Sequence, residues 1–207
     1  VLFVCPRIGT TPYFRGIYDN FKREFGHLPH VIGGAQPIAV PDPAVIGYVP
    51  REAHERNMRE LRVMYYHSRE RNHVHYHPLE AIQAGMPLVY VGGGMLDELG
   101  GRSLPGRCRS TTEARAKIER LLEGDRRLID RIRKTQGALL EPLLAERCAP
   151  TWQQGFARIV ASVKLRAPRS ARASRIAVIV PVGYRGGSLR GAKLLAPPKN
   201  RLLLSSG

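Results

Sequence analysis

The residues best suited to chemistry lie in one segment, Asn72–Gly85 (NHVHYHPLEAIQAG). Pro78 predicts a helix start, because its missing N–H costs nothing in a first helical turn. Glu80 then falls in that turn, where the helix dipole favours a carboxylate. Free N–H groups at such a helix start suit a diphosphate, and a carboxylate beside them can accept hydrogen bonds from a sugar diol. A Glu that only caps its helix fits the same pattern, so the residues alone leave both interpretations open.

Three histidines alternate just before that helix: His73, His75 and His77. On a strand they would share one face, as a metal site requires. No carboxylate or Cys completes the set in the sequence, so we expect no metal and no other cofactor. His73 and His77 flank the helix start and, with Pro78 and Leu79, are candidate contacts for a sugar or its phosphates.

A glycine run, Gly92–Gly94, follows the next apolar run. Glycines allow the backbone to approach a ligand closely, which makes Gly93 a further candidate. A plain turn between a strand and a helix explains the run equally well.

Short apolar runs alternate with amphipathic stretches along residues 1–163. The expected strands are Val1–Cys5, Val31–Gly33, Val45–Val49, Arg62–Tyr66, Pro87–Val91 and Gly106–Arg109. The expected helices are Phe14–Phe25, Arg51–Leu61, Pro78–Ala84, Met95–Leu99, a capped helix from Ser110 towards Glu123, Asp125–Arg147 with breaks near Gly137 and Pro142, and Trp152–Val163. This alternation predicts an α/β fold, a Rossmann-like doubly wound, mainly parallel sheet with C-terminal helices.

The composition changes after residue 163. Residues 164–174 (KLRAPRSARAS) predict a basic linker, and residues 175–207 predict an incomplete β-loop-α unit that begins a further domain. The chain begins directly with an apolar run, so we expect it to be part of a longer protein.

Residues 45–94 resemble the C-terminal, donor-binding domain of GT-B fold glycosyltransferases of the retaining E-x7-E type. The resemblance depends on VIGYVPREAHERNMRELRVMYYHS, HPLEAIQAGMPLVYV and GGGMLDELGG, and it extends more weakly over residues 1–163. It implies that Glu80 binds the ribose of a nucleotide-sugar donor, and that cations after the first strand bind its phosphates. The strand and Gly-rich loop of residues 175–188 resemble the start of the acceptor-side domain in the same family, which implies a possible second glycosyltransferase module.

The sequence departs from the family pattern in two places. The family's first acidic position falls on Asn72, eight residues before Glu80, and an amide there cannot carry charge. Glu70, two residues earlier, is an alternative carboxylate. The family's two cations have their nearest matches in Arg7 and Arg15, which are further apart than in the family. The resemblance thus makes Asn72, Arg7 and Arg15 the catalytic candidates.

The resemblance implies the donor-binding part of a hexosyltransferase-like enzyme that acts in polysaccharide or glycoconjugate synthesis on an unknown acceptor. Such a part would need an N-terminal acceptor domain and would be inactive alone. Two alternatives stay open. The neutral Asn72 favours a non-catalytic module that binds sugar nucleotides, and the basic tail favours a polyanion-binding protein.

Charge and cysteine content limit the partners. The formal net charge is +16, but residues 163–207 hold ten Lys or Arg and no acidic residue. This distribution argues against a uniform surface for a specific nucleic acid, and it leaves peripheral contact with a membrane open. The three cysteines, Cys5, Cys108 and Cys148, share no metal-binding spacing, which favours reduced thiols and a cytoplasmic protein.

Overall fold

The structure, a computed structural model, describes residues 1–73 and 75–166, with side chains described as far as Val163. The predicted further domain, 175–207, lies outside the described residues, as does the predicted linker 164–174 apart from its first three residues. The chain divides into two units, Val1–Pro150 and Thr151–Gly207. The predicted domain boundaries stay predictions.

Six strands and seven α-helices make up the described part of the chain. The strands are β1 (Leu2–Val4), β2 (Val31–Gly33), β3 (Val45–Gly47), β4 (Met64–Tyr66), β5 (Leu88–Val91) and β6 (Arg107–Cys108). The helices are α1 (Pro12–Phe25), α2 (Arg51–Glu60), α3 (Tyr76–Gln83), α4 (Met95–Glu98), α5 (Thr111–Leu122), α6 (Arg126–Gln136) and α7 (Ala145–Arg166). Short 3₁₀ turns occur at Gly101–Ser103, Gly137–Leu139 and Glu141–Leu143.

The strands form one sheet in the order β3-β2-β1-β4-β5-β6. Every neighbouring pair is parallel; Phe3 of β1, for example, pairs with Ile32 of β2. The predicted α/β fold with a Rossmann-like parallel sheet is therefore confirmed. The predicted breaks near Gly137 and Pro142 are confirmed too, since both positions lie in 3₁₀ turns between α6 and α7.

Side chains alternate between the two faces of the sheet along each strand, and packed elements bury both faces. On one face Phe3 and Tyr65 pack against α1, α5 and α6, which supply Phe21, Ile118 and Ile132 among others. On the other face the buried cluster holds these residues: Leu2, Met58, Met64, Tyr66, Ala81, Ile82, Met86, Leu88, Tyr90, Leu96 and Leu139. The continuous apolar runs of the sequence reflect this two-sided burial.

The start of α5 follows the predicted capping pattern. The Ser110 hydroxyl accepts a hydrogen bond from the Glu113 N–H at 3.2 Å, and the Glu113 carboxylate accepts one from the Arg109 N–H at 2.8 Å. These bonds satisfy N–H groups that a helix start leaves without intrahelical partners. Among the described helices, none has the length and apolar character needed to cross a membrane.

Candidate functional site

Four loops meet at one edge of the sheet, because all strands run in the same direction. The segments that follow β1, β4, β5 and β6 leave the carboxyl ends of their strands at this edge. The strand order changes direction between β1 and β4, since β2 and β3 lie on one side of β1 and the later strands lie on the other. Open α/β sheets bind ligands at such a point, outside the carboxyl ends of the strands.

A cleft of about 360 Å³ lies between α1 from Tyr13 to Phe21, the end of β4 and the first residue of α5. Three aromatic residues in its lining are buried: Phe3 and Phe21, whose rings stack with centroids 4.0 Å apart, and Tyr65. Polar side chains complete the lining at Asn20, His67, Arg69 and Thr111. The volume lies within the range of small-molecule sites.

The residues that line the cleft in the described part of the chain include none of the predicted site residues. Sequence analysis did not single out His67 and Arg69, although both follow β4 directly. The structure shows why they matter: the strand order reverses between β1 and β4, so the residues just beyond β4 lie beside the crevice.

Arg7 lies in the loop after β1 and has an unusual backbone conformation. Its φ of 54° makes it the one residue other than glycine with a positive φ in the described chain. Its N–H donates to the Ala35 carbonyl at 2.9 Å, and its own carbonyl accepts hydrogen bonds from the N–H groups of Thr10 and Thr11 at 3.1 Å. A left-handed conformation costs a residue with a side chain roughly 1–2 kcal/mol, so surrounding bonds must hold it in place.

The second predicted cation, Arg15, is exposed on α1. Its guanidinium carbon lies 5.8 Å from the centre of the Tyr18 ring. The structure therefore puts Arg7 on the loop after β1 and Arg15 on the helix that follows, with neither of them lining the cleft.

The segment after β4 and the first turn of α3 bring the histidines together. The ring centroids of His73 and His75 are 4.3 Å apart, and those of His75 and His77 are 5.5 Å apart. The Tyr66 hydroxyl lies 2.7 Å from His75 Nδ1, and the ring centroids of Tyr66 and His77 are 5.5 Å apart in an edge-to-face arrangement. Asn72, at the start of this segment, is exposed.

Burial controls the protonation of these histidines. It lowers the pKa of His77 to about 3 and the pKa of His67 to about 4, and neighbouring His75 lowers both further. Burial also lowers the pKa of His75. His67 and His77 are therefore neutral at pH 7, and each ring can donate one hydrogen bond and accept another.

The predicted place of Glu80 in the first turn is wrong. Helix α3 begins at Tyr76, two residues before Pro78, so Glu80 lies in the second turn. Proline is tolerated at the third helical position as well, because the first four N–H groups of a helix lack intrahelical partners. The Glu80 carboxylate is half exposed, and its Oε2 lies 3.4 Å from His54 Nε2 of α2. Pro78 and Leu79 are buried.

The glycine run allows close approach, but to other parts of the same chain. A Cβ on Gly94 would lie 2.8 Å from Arg69 Cα and from the Ser68 carbonyl oxygen, and a Cβ on Gly92 would overlap the Arg107 guanidinium. Gly93 has a φ of 99°, and its N–H donates to Asp97 Oδ2 at 2.8 Å. The run thus packs the β5–α4 turn against the β4–α3 segment, and the expected approach to a ligand stays a prediction.

Glu70, the alternative carboxylate, is already engaged by the protein. Its Oε1 accepts a hydrogen bond from the Tyr13 hydroxyl at 2.9 Å, and its Oε2 lies 4.0 Å from His73 Nδ1. These contacts connect the start of α1 to the β4–α3 segment. The pKa of Tyr13 is raised mainly by its hydrogen bond to Glu70, and burial raises it further.

Within residues 1–73 and 75–163, no group of three or more His, Cys, Asp or Glu side chains is arranged to hold a metal ion. Comparisons with protein-family models, curated proteins and solved structures gave no match for this chain. The fold and the geometry of this edge are therefore the basis for a functional proposal.

Proposed function

We propose that this chain is the donor-binding part of a glycosyltransferase, which transfers a sugar from a nucleotide-diphosphate sugar to an acceptor. The observation that carries the proposal is the parallel sheet of order β3-β2-β1-β4-β5-β6, with an open cleft beside its β1–β4 switch point. Sugar-nucleotide donors carry a diphosphate, which suits an edge where the loop after β1 and the segment after β4 both present arginines.

The departing nucleoside diphosphate would be stabilised electrostatically by fixed cations. Arg7 is the most constrained of these, because backbone hydrogen bonds hold its left-handed conformation. Arg15 lies on the helix that follows. Arginine suits this role because its planar group can donate two parallel hydrogen bonds to one phosphate.

Glu80 is the proposed partner of the ribose diol. Its carboxylate is half exposed on α3, and its Oε2 lies 3.4 Å from His54 Nε2. Charge-assisted hydrogen bonds from two hydroxyls to one carboxylate contribute on the order of 1.5–3 kcal/mol each.

A second candidate function is a non-catalytic module that binds sugar nucleotides. Asn72 is an exposed amide at the position where the family has an acidic residue, and Glu70 already accepts a hydrogen bond from Tyr13. Both observations leave the site without a free carboxylate at that place. Turnover by the chain combined with an acceptor domain would separate the two functions, because the module would bind donor without transferring sugar.

The first experiment measures donor binding by calorimetry with the full 207-residue chain, using UDP-, GDP- and ADP-sugars. We expect one of them to bind more tightly than pyrophosphate. Glu80→Gln should weaken that binding roughly tenfold, because the amide keeps the shape but loses the charge and one acceptor. The matched control is His54→Gln, which removes the contact with Glu80 but leaves its carboxylate in place.

The two variants distinguish binding from structure. If Glu80 only pairs with His54, both variants should lower the melting temperature equally and leave donor affinity unchanged. That result would remove Glu80 from the site. Absence of binding for every nucleotide sugar would contradict the proposed function itself.

A further inference from the structure

Arg69 differs from the other arginines around the carboxyl edge of β4 and β5. Arg71 contacts the Glu98 carboxylate, and Arg107 contacts the Asp97 carboxylate at 2.8 Å. Arg69 is exposed and lines the cleft, and no carboxylate of the described residues lies within 4.0 Å of its guanidinium. A cation without a counter-ion beside a cleft favours an anionic ligand there.

The backbone of Arg69 is held firmly. Gly94 packs so closely on Ser68 and Arg69 that a Cβ at its position would be 2.8 Å from their atoms. The Met95 N–H donates to the Glu70 carbonyl at 2.9 Å, and the Glu70 N–H donates to the Ser68 hydroxyl at 3.2 Å. This packing fixes the backbone from which the guanidinium extends, so only the Arg69 side chain has to be ordered when a ligand binds.

The rest of the cleft suits an anion that is attached to a ring. No Asp or Glu is among its lining residues in the described part of the chain. Asn20 and Thr111 supply an amide and a hydroxyl, and His67 supplies a neutral imidazole. Tyr13, which is 55% exposed, and the half-buried Ile17 provide apolar surface on which a ring can pack.

We propose that this cleft binds a phosphoryl group of the ligand and that Arg69 is the residue within the cleft that binds its charge. The identity of the ligand as a nucleotide sugar rests on the proposed function, whereas the phosphoryl site rests on the cleft and Arg69. The volume of about 360 Å³ exceeds that of a phosphate and leaves space for an attached ring.

The test compares Arg69→Gln with Arg71→Gln in the full chain at constant ionic strength. The two substitutions change the net charge equally and lie two residues apart, but Arg71 already contacts Glu98. The probes are pyrophosphate and the tightest-binding nucleotide sugar, measured by calorimetry. The basic tail is identical in all three proteins, so its contribution cancels in the comparison.

We expect Arg69→Gln to weaken pyrophosphate binding about tenfold, with an unchanged melting temperature, and Arg71→Gln to weaken it less than twofold. In ¹H–¹⁵N spectra, the amide signals of Asn20 and Thr111 should shift on adding pyrophosphate to the wild type. In Arg69→Gln they should shift only at higher concentration.

Two further outcomes separate this inference from the proposed function. Equal affinities of Arg69→Gln and wild type for pyrophosphate would overturn the phosphoryl site, even if a nucleotide sugar binds elsewhere on the edge. Arg69-dependent pyrophosphate binding without any tighter nucleotide sugar would support the site and contradict the donor function.

Discussion

Arg107 and Arg69 both pack against the glycine turn Gly92–Gly94, but their surroundings differ. Arg107 forms two hydrogen bonds of 2.8 Å to the Asp97 carboxylate, which is only 7% exposed. Arg69 extends into the cleft without a carboxylate partner among the described residues. Gly92 makes room for the first arginine, and Gly94 fixes the backbone of the second. The turn therefore supports one arginine that stabilises the fold and one that is available to a ligand.

The largest expected effect comes from breaking the Asp97–Arg107 pair. Asp97→Asn would leave the Arg107 guanidinium without its counter-ion and weaken the acceptor of the Gly93 N–H. Removing one partner of a buried ion pair costs about 3–5 kcal/mol, and the partial exposure of Arg107 puts the expected loss near the lower value. Urea unfolding at pH 7 measures this loss.

The control for that variant is Glu98→Gln, which removes the partly exposed carboxylate beside Arg71 and Arg102. Exposed ion pairs contribute little, so its free energy of unfolding should fall by less than about 1 kcal/mol. Equal losses of unfolding free energy in both variants would mean that the buried Asp97 carboxylate stabilises the fold no more than the partly exposed Glu98 carboxylate does.

Mild acid should act on the first turn of α3, which holds His77, before it acts on the Asp97–Arg107 pair. The pKa of His77 is about 3 in the folded chain and 6.5 when unfolded, so between these values the unfolded state binds the extra proton. Stability therefore falls as the pH drops below 6.5, by about 1.4 kcal/mol per pH unit for each such histidine. For Asp97, hydrogen bonding by Arg107 lowers the pKa below the ordinary value of 3.8. The stabilisation from the ionised Asp97 carboxylate is therefore lost only as the pH falls below 3.8.

The measurement is the free energy of unfolding between pH 7 and pH 5. His77→Asn should remove about 2 kcal/mol of the wild-type decrease by pH 5. His73→Asn is the matched control, because His73 is exposed two residues before His75, and it should keep the wild-type slope. A wild-type stability that is flat over this range would show that His77 is accessible to protons in the folded chain.

The fold could be predicted from the sequence because apolar periodicity reports burial directly. The runs around Phe3, Tyr65 and Val89 are apolar on both faces, which requires a parallel sheet with helices on both sides. The start of α5 was predicted correctly for a similar reason, since the Ser110–Glu113 pattern acts within four residues.

The site was harder to predict, because its geometry depends on contacts between segments that are far apart in sequence. Glu80 was expected in a first turn, but α3 begins at Tyr76, two residues before Pro78, with His75 as its extended N-cap. The role of Gly94 depends on the backbone of Arg69, 25 residues before it. Neither relation leaves a local pattern that a single sequence would reveal.

The smallest expected effect concerns Arg7, a third arginine. Its positive φ destabilises the folded chain through the backbone, independently of the charge on its side chain. Asn adopts positive φ more readily than Arg does, and the hydrogen bonds that hold this backbone use only main-chain atoms of residue 7. Arg7→Asn should therefore leave the free energy of unfolding unchanged or raise it by up to about 1 kcal/mol.

If Arg7 binds the donor diphosphate, the same change should weaken nucleotide-sugar binding several-fold. Arg15→Gln removes the same charge from a helix without a strained φ, so it should weaken binding without any gain in stability. A loss of stability in Arg7→Asn would show that the Arg7 side chain supports the loop, and an unchanged affinity would remove it from the phosphate site.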